Sequence, residues 1–256
     1  MNRRVVAIIQ ARMGSTRMPG KMLLRLAGKA VVQQVYERVA VIEGIDQVIV
    51  ATTTDMSDDS LASYCRQSGI PVFRGSPDDV LDRYYQAARN ESADVVMRVT
   101  GDCPFLDPVE SKKVLKLFLD NEGCDYTSNV DPPFLPDGLD TEVMSFKALQ
   151  RAWQMAKNVP DREHVTLFIR SHPDMFFVKS LKGNIDWSSH RWTIDEDRDY
   201  EFLNAMAKLL AEKGKFGYLN EIIALLDEFP DLSKINRDIR RNEGLEKSLQ
   251  QHPLSD

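Results

Sequence analysis

Short apolar runs rich in β-branched residues alternate with helix-forming segments through the first half of the chain, and this alternation restricts the fold more than any other feature. Val5 to Ile9 is a continuous apolar run, which is typical of a strand buried on both faces of a sheet. Further strands and amphipathic helices are predicted in alternation, the strands over residues 48–52, 71–73 and 94–99 and the helices over 31–42, 58–67, 79–90 and 107–121. Strands joined through helices form parallel βαβ units, so the pattern predicts an α/β protein with a doubly wound, mainly parallel sheet.

The alternation ends after Tyr126, where a different pattern begins. Residues 131–138 contain three prolines, too many for the interior of a strand or helix, and are predicted to form a loop. Beyond it we predict helices over residues 145–157, 162–171, 199–213 and 219–226, and strands over 175–181 and 191–194. No linker or change in composition divides the 256 residues. We therefore expect a single domain (1–256) with parts at 1–126 and 127–229 and a polar tail at 230–256 whose closing charged helix, 237–249, is solvated.

Charge is unevenly placed along the chain. The formal net charge is −6, yet residues 1–29 hold seven basic residues and no acidic one. A basic segment on an acidic protein predicts a local site for a small anion and argues against a nucleic-acid-binding surface. No apolar stretch approaches the ~20 residues that a membrane helix needs. The three cysteines are too scattered for a disulfide framework or a zinc site, so we expect a cytoplasmic protein without a membrane segment.

Two loops that follow predicted strands carry residues suited to chemistry. Ligands of open α/β sheets bind at the carboxyl ends of the parallel strands. The loop after Ile9 is basic and contains Gly14 and Ser15, a composition that suits the binding of phosphates by backbone N–H groups and cations. The loop after Val99 supplies Asp102, and carboxylate oxygens are ligands that Mg²⁺ prefers. A basic loop beside an acidic strand end predicts a site for a magnesium–nucleotide complex.

Two common phosphate-binding motifs do not match the first loop. A Walker A motif has four residues between its glycines, whereas five residues separate Gly14 from Gly20. That motif also places Ser or Thr after its lysine, whereas Met22 follows Lys21. The dinucleotide-binding motif G-x-G-x-x-G is absent from the sequence, so neither motif describes the site.

Residues 8–21 instead read IIQARMGSTRMPGK and resemble the opening of the sugar-acid cytidylyltransferases, in particular the branch called spore coat polysaccharide biosynthesis protein F. The match is dense, because about ten of these fourteen positions are specified in the family. The similarity continues in RGSPDDVLDR (74–83), RVTGDCPF (98–105), DGLDTE (137–142), REHV (162–165), RWTID (191–195) and INRDIRRNEG (235–244). It therefore extends over nearly the whole chain.

The resemblance implies a nucleotide-diphospho-sugar transferase (Rossmann-like) fold and a reaction of CTP with an acidic sugar. The products would be a CMP-sugar, used for surface polysaccharide or glycan, and pyrophosphate, and the protein would be a homodimer. The residues implied to bind the nucleotide are Ala11, Arg12, Gly14, Ser15, Arg17, Lys21, Arg74 and Thr100. The catalytic residues would be Arg12, Lys21 and Asp102, with Asp102 and Asp195 sharing the Mg²⁺ ion.

The second half of the chain is expected to bind the acidic sugar. Asp137, Asp140 and Glu142 could accept hydrogen bonds from sugar hydroxyls, although a solvated turn would explain them too. His164 is expected to contact the sugar, with a structural role as the alternative. Thr100 stands where family members often carry Gln, so the choice of base is open at this point.

Two other functions fit parts of the pattern. A glycosyltransferase of the same general fold would use a preformed nucleotide-sugar, but many such enzymes bind metal through Asp-x-Asp, where this chain has Gly101-Asp102-Cys103. A non-catalytic nucleotide-binding protein would have no need of Arg12, Lys21, Asp102 and Asp195 together. We therefore favour the cytidylyltransferase interpretation.

Overall fold

A seven-stranded sheet and a separate two-stranded hairpin form the strands of the computed structural model, which describes residues 3–241 and 243–252. In chain order the strands are β1 (Val5–Gln10), β2 (Arg25–Leu26), β3 (Lys29–Ala30), β4 (Gln47–Thr53), β5 (Val72–Gly75), β6 (Val95–Thr100), β7 (Tyr126–Ser128), β8 (Glu142–Ser145) and β9 (Val178–Ser180). The hairpin is β2–β3, and the sheet order is β5-β4-β1-β6-β8-β7-β9. The strands β5, β4, β1 and β6 are parallel, whereas β8 runs antiparallel to both β6 and β7. The predicted α/β class and mainly parallel sheet are confirmed.

Helices cover both faces of this sheet. They are α1 (Val31–Ala40), α2 (Asp59–Gln67), α3 (Val80–Asn90), α4 (Pro108–Leu119), α5 (Phe146–Met155), α6 (Val159–Glu163), α7 (Leu167–Ser171), α8 (Asp197–Glu212), α9 (Leu219–Glu228) and α10 (Glu243–Gln251), and three short 3₁₀ turns accompany them. None of the helices in the described ranges has the length and apolar character that crossing a membrane requires.

Alternating side chains of β1 explain why helices pack on both of its faces. Val5, Ala7 and Ile9 point into one buried cluster, to which α1, α2 and α4 contribute. Val6 and Ile8 point into the opposite cluster, formed with α3, α5 and α7. Burial on both faces is what a continuous apolar run requires, because an uninterrupted row of apolar side chains leaves no face for water.

Most elements of the first half lie within a few residues of their predicted positions, and the differences concentrate after residue 126. The strands β7 and β8 were not predicted. The predicted strand over residues 191–194 is wrong, since its segment forms only an isolated bridge between Arg191 and Asp137. The predicted helix over 162–171 is two helices, α6 and α7, separated where Val165 adopts a φ of +55°.

The end of the chain also differs from the expectation of a solvated charged helix. The helix α10 begins at Glu243 rather than near residue 237. Ser248 on this helix is buried and donates a hydrogen bond to Glu163 of α6, at 2.8 Å. One face of α10 therefore packs against the body of the protein.

Candidate active site

Two adjoining cavities open where β1 and β6 end, at the carboxyl edge of the parallel strands. The first cavity has a volume of about 310 Å³ and is lined by the loop after β1, including Arg12, Ser15 and Lys21. The second cavity has a volume of about 280 Å³ and is lined by the acidic and His residues predicted to bind a sugar: Asp137, Asp140, Glu142 and His164. Both cavities are lined by Arg17, Thr100, Asp102, Asp195 and Gly244, so these residues mark their junction.

The loop after β1 is held in place by hydrogen bonds of its own backbone and by the 3₁₀ turn (Met56–Asp58) that precedes α2. Gly20 adopts a φ of +79°, which glycine reaches without a steric penalty, and its N–H donates to the Met13 carbonyl at 3.0 Å. The Met13 N–H in turn donates to the buried Asp58 carboxylate at 2.6 Å. Arg12 is exposed, and within residues 3–241 and 243–252 its guanidinium has no hydrogen bond or ion pair. The loop thus presents to the first cavity a cation that no anion of the described residues neutralises.

Lys21 lies at the junction of the two cavities. Its Nζ atom donates to Asp102 Oδ2, to Asp195 Oδ1 and to the Ile194 carbonyl, each at 2.8 Å. Burial alone would lower the pKa of Lys21, but the two carboxylates outweigh it and raise that pKa above its ordinary value. The same ammonium group outweighs the effect of burial on Asp102 and lowers the pKa of that carboxyl. The side chains of Asp102 and Asp195 are therefore both directed at one cation-sized position at the centre of the site.

Arg191 orients the second of these carboxylates. Its guanidinium is buried and pairs with Asp195 at 3.1 Å, with Asp137 at 2.8 Å and with Asp199 at 2.9 Å. Asp199 also accepts the backbone N–H groups of Asp195 and Glu196 at the start of α8. These charge-assisted bonds fix the position of the Asp195 carboxylate.

Glu142 lines the second cavity, but its carboxylate already has partners. The β6–β8 register places it opposite Arg98, with which it forms an ion pair. Tyr126 and Thr166 also donate their hydroxyls to this carboxylate. Burial would raise the pKa of Glu142, but Arg98 above all outweighs it and lowers that pKa. Glu142 is therefore placed to hold this wall of the cavity together, and its role as a sugar contact stays a prediction.

Asp137 and Asp140 form an acidic wall of the same cavity. Burial, reinforced by the charge of Asp140, raises the pKa of Asp137 to about 7 despite Arg241 and Arg191. Burial also raises the pKa of Asp140, which pairs with Arg241 from the segment before α10. A carboxyl group held near its titration point at neutral pH, as that of Asp137 is, can donate or accept hydrogen bonds.

A strained turn presents the third wall. Val165 is fully buried and has a φ of +55°, a conformation that is costly for a β-branched residue. It separates His164 from Thr166, and both of these line the second cavity, as does Arg170 at the end of α7. Burial lowers the pKa of His164, so its imidazole is neutral at pH 7.

The structure brings together most of the residues predicted from the sequence. The first cavity contains Ala11, Arg12, Ser15, Arg17, Lys21 and Thr100. Gly14 and Arg74 do not line either cavity. Arg74 instead donates to the carbonyls of Thr53 and Asp55, at 2.7 and 2.8 Å, and pairs with Asp59. These bonds tie β5 to the segment after β4, and a contact between Arg74 and the nucleotide stays a prediction.

Sequence reasoning assigned no role to several arginines that line the second cavity. They are Arg98, Arg170, Arg191, Arg240 and Arg241. Four of the five lie inside segments already quoted for the family resemblance. The sequence does not show which of these arginines form ion pairs, because their partners come from distant segments. The C-terminal segment also reaches the site, where Glu243 lies 3.7 Å from Arg17.

Comparison with known proteins gives a consistent family. The family model described as cytidylyltransferase matches residues 6–244. A solved structure of a cytidylyltransferase from Leptospira borgpetersenii superposes with a TM-score of 0.86 at 29% identity, covering 93% of this chain and all of that one.

Two relatives compared by sequence agree with this match. The spore coat polysaccharide biosynthesis protein SpsF of Bacillus subtilis is 33% identical over 89% of this chain and 95% of its own length. A 3-deoxy-manno-octulosonate cytidylyltransferase of Trichlorobacter lovleyi is 40% identical over 121 residues, which is 46% of each chain.

Proposed function

This chain belongs to the cytidylyltransferase family, and from that membership we propose that it joins CTP to a hydroxyl group of an acidic sugar, forming a CMP-sugar and pyrophosphate. One observation carries the proposal: a cavity with an unpaired cation adjoins a cavity with acidic and basic walls, and the two carboxylates Asp102 and Asp195 lie at their junction. The first cavity takes CTP and the second takes the acid. The reacting atoms then meet beside Asp102 and Asp195.

The loop after β1 would hold the triphosphate. Attack at the α-phosphorus increases negative charge on the departing pyrophosphate, so fixed cations at that place lower the barrier. Arg12 can bind phosphate without losing a side-chain partner among the residues that the structure describes. Arg17 and Lys21 would exchange carboxylate partners for phosphate oxygens. This exchange costs little free energy because one anionic partner replaces another.

The residues at the junction fit a magnesium ion. Asp102 and Asp195 each place an oxygen 2.8 Å from the same Lys21 nitrogen, so both carboxylates converge on one small cation. The described residues contain no cluster of three or more His, Cys, Asp or Glu that could hold a metal alone. Two carboxylates completed by phosphate oxygens and water are the usual magnesium site of nucleotide enzymes. Bound there, Mg²⁺ would neutralise phosphate charge and acidify the attacking hydroxyl.

The chain's own residues position the reaction. The acceptor hydroxyl oxygen forms a bond to the α-phosphorus, the bond from that phosphorus to the bridging oxygen of the β-phosphate breaks, and the hydroxyl proton passes to water. Asp137 and Asp140 accept hydrogen bonds from other hydroxyls of the sugar and hold it in place. Orientation of this kind accounts for much of the rate in phosphoryl transfer.

The name of the Bacillus subtilis relative supports a role for the product in surface polysaccharide biosynthesis.

The glycosyltransferase alternative is disfavoured because Arg12, which has no partner among the described residues, and the cations beside it suit a triphosphate better than a diphospho-sugar. Family resemblance also supports a cytoplasmic homodimer, and light scattering of the purified protein would give twice the 29.2 kDa chain mass if the dimer forms.

Pyrophosphate release tests the proposal. The protein is incubated with Mg²⁺, each of the four NTPs in turn, and a panel of sugar acids that includes 3-deoxy-manno-octulosonate. We expect release with CTP and at least one acid, and none without acid. Pyrophosphate release with an NTP other than CTP, and none with CTP, would contradict the assignment of cytosine as the base. No release with any acid would contradict the proposed reaction.

A further inference from the structure

More arginines line the second cavity than form ion pairs with the carboxylates of its walls. Three of its guanidinium groups have carboxylate partners: Arg98 with Glu142, Arg191 with Asp137, and Arg241 with Asp140. Arg17, at the junction, pairs with Asp195. Two further arginines line the cavity, and they differ in burial.

Arg170 is the partly buried one of these two. Within the described ranges its guanidinium has no hydrogen bond and no ion pair, and its Nε atom is buried without a partner. Arg240 is exposed at the cavity mouth, where water can hydrate its charge. A buried N–H group without a partner costs free energy comparable to a lost hydrogen bond, so a site that keeps one is prepared for an external acceptor.

Glu142 does not take up the charge of Arg170. Both of its oxygens already accept hydrogen bonds, one from Arg98 and the other from the hydroxyls of Tyr126 and Thr166. Arg170 supports the ionised form of Glu142 only through space. The N–H groups of Arg170 thus remain available to a ligand.

His164 is a second residue of this wall whose side chain has an unsatisfied hydrogen-bonding atom among the described residues. Its Nε2 atom is buried and makes no hydrogen bond in the described part of the chain, lying 3.7 Å from the Glu163 carboxylate. The strained Val165 lies between His164 and Thr166, both of which line the second cavity. Strain that persists at a cavity wall is a common mark of a ligand-binding position.

We propose that Arg170 binds the carboxylate of the acidic acceptor, with His164 Nε2–H as a second donor, while Asp137 and Asp140 receive the hydroxyls. This inference rests on the proposed function and deepens it, because it identifies the group by which the enzyme selects acids. The cavity then has one side for an anion and one side for hydroxyls. A neutral sugar would leave the Arg170 charge unpaired in a partly buried site, which disfavours its binding.

The test compares residue and ligand changes in one cycle. Wild-type, Arg170→Gln and Arg170→Lys enzymes are assayed with CTP and the acid that supports turnover, and with the carboxamide of that acid. Arg89→Gln, an exposed arginine outside both cavities, serves as the matched charge control. Thermal unfolding of every variant reports whether it is folded.

We expect Arg170→Gln to raise KM for the acid by roughly 30-fold, the loss typical of one charged hydrogen-bonded pair, with KM for CTP changed less than about twofold. Arg170→Lys should raise KM for the acid less than Arg170→Gln does, because lysine keeps the positive charge, although it lacks the planar pair of donors. For the carboxamide, Arg170→Gln should cause no further loss, since the partner group is already absent.

Each result decides the matter. An acid KM within about threefold of wild type in folded Arg170→Gln, or an equal loss with acid and carboxamide, overturns the proposal while the proposed function stands. If Arg170→Gln does not fold, the wild-type comparison decides: equal kcat/KM for acid and carboxamide overturns it. No pyrophosphate from wild type with any acid removes the proposed function, and this inference with it.

Discussion

At the scale of single residues, the site depends on Lys21 and the two carboxylates around it. A buried ammonium group is costly unless it is paired, and here three oxygens surround it. The ammonium group keeps Asp102 ionised and holds both carboxyl groups directed at one point before any substrate is bound. Pre-organisation of this kind lowers the cost of assembling a charged transition state.

Asp102→Asn tests the role of that centre. Lys21 keeps Asp195 and the Ile194 carbonyl as partners, so the variant should fold. We expect turnover to fall by roughly 10²-fold or more, because a carboxylate ligand at the reacting phosphate is lost. Pyrophosphate release measures this, with exposed Asp174→Asn as the control. An Asp102→Asn enzyme with more than a tenth of wild-type activity would contradict the assignment.

Asp137 should make stability depend on pH near neutrality. Its pKa is about 7 in the folded protein against an ordinary 3.8, so the folded state binds its proton more tightly. The resulting stability is fully present below about pH 4 and is lost as pH rises through 7. The groups around it are Asp140, Asp102, Arg191 and Arg241.

Urea unfolding between pH 5.5 and 8.5 checks this prediction. The free energy of unfolding of wild type, taken relative to Asp137→Asn, should decrease with rising pH. The difference removes contributions from distant groups that titrate in both proteins. A difference that is flat or increases over this range would show that Asp137 is ionised throughout.

The sequence identified the charged residues of the site better than it identified their partners. Arg12 and Lys21 could be named because a dense motif carries them, and Asp102 and Asp195 because they lie in two further segments of the family resemblance. Arg170 could not, since its distinguishing property is the absence of a partner within the described chain, and partners become visible only when distant segments come together.

At the scale of elements, the loop before β8 is set by one glycine. Gly138 has a φ of +109°, and a Cβ atom there would lie 2.6 Å from the Trp192 carbonyl carbon. Flanking bonds join Asp137 N–H to the His190 carbonyl and Trp192 N–H to the Asp137 carbonyl. This close approach of two chains holds Asp137 beside Arg191.

Gly138→Ala should therefore lower the free energy of unfolding by about 2 kcal/mol or more, because alanine meets both backbone strain and a clash. Gly14→Ala is the matched control, since nothing lies within 4 Å of its position. Urea unfolding of both variants measures the difference. Equal stability of the two would mean that the 137–139 segment can move away from Trp192.

The segment before α10 closes the second cavity through Arg241, which pairs with Asp140 and donates to the Leu135 carbonyl at 3.0 Å. We expect Arg241→Gln to raise KM for the acid by roughly tenfold, because the acidic wall loses its counter-charge, with little change in KM for CTP. Arg237→Gln, exposed on the same segment, is the control. Steady-state kinetics in which the two variants behave alike would contradict this role.

Elements were predicted well where apolar patterns alone decide and poorly where charges lie inside the sheet. The strand β8 begins at Glu142, a charged residue that an apolar pattern does not assign to a strand. Its cross-strand partner Arg98, with the hydroxyls of Tyr126 and Thr166, stabilises the buried carboxylate. The break between α6 and α7 was not predicted for a different reason, because nothing in a helical pattern indicates that Val165 adopts a positive φ.

At the scale of the whole molecule, parallel topology explains why the two cavities meet. The ends of β1 and β6 are neighbours in the sheet, so the loop after β1 and the Asp102 loop emerge side by side. The reversed β8 returns Glu142 to the same edge, and the segments near Asp195 and Glu243 close the far side. The α/β class and the carboxyl-edge location followed from the sequence, whereas the second cavity depends on contacts between segments more than 100 residues apart, such as Arg241 with Asp140.

The mass of the product is the sharpest test of the proposed reaction. Wild-type protein is incubated with CTP, Mg²⁺ and each sugar acid, and the mixture is analysed by mass spectrometry. We expect a new species whose mass equals that of CMP plus the acid minus one water, formed together with pyrophosphate and absent with Asp102→Asn. CTP that binds but yields no such species with any acid would contradict it.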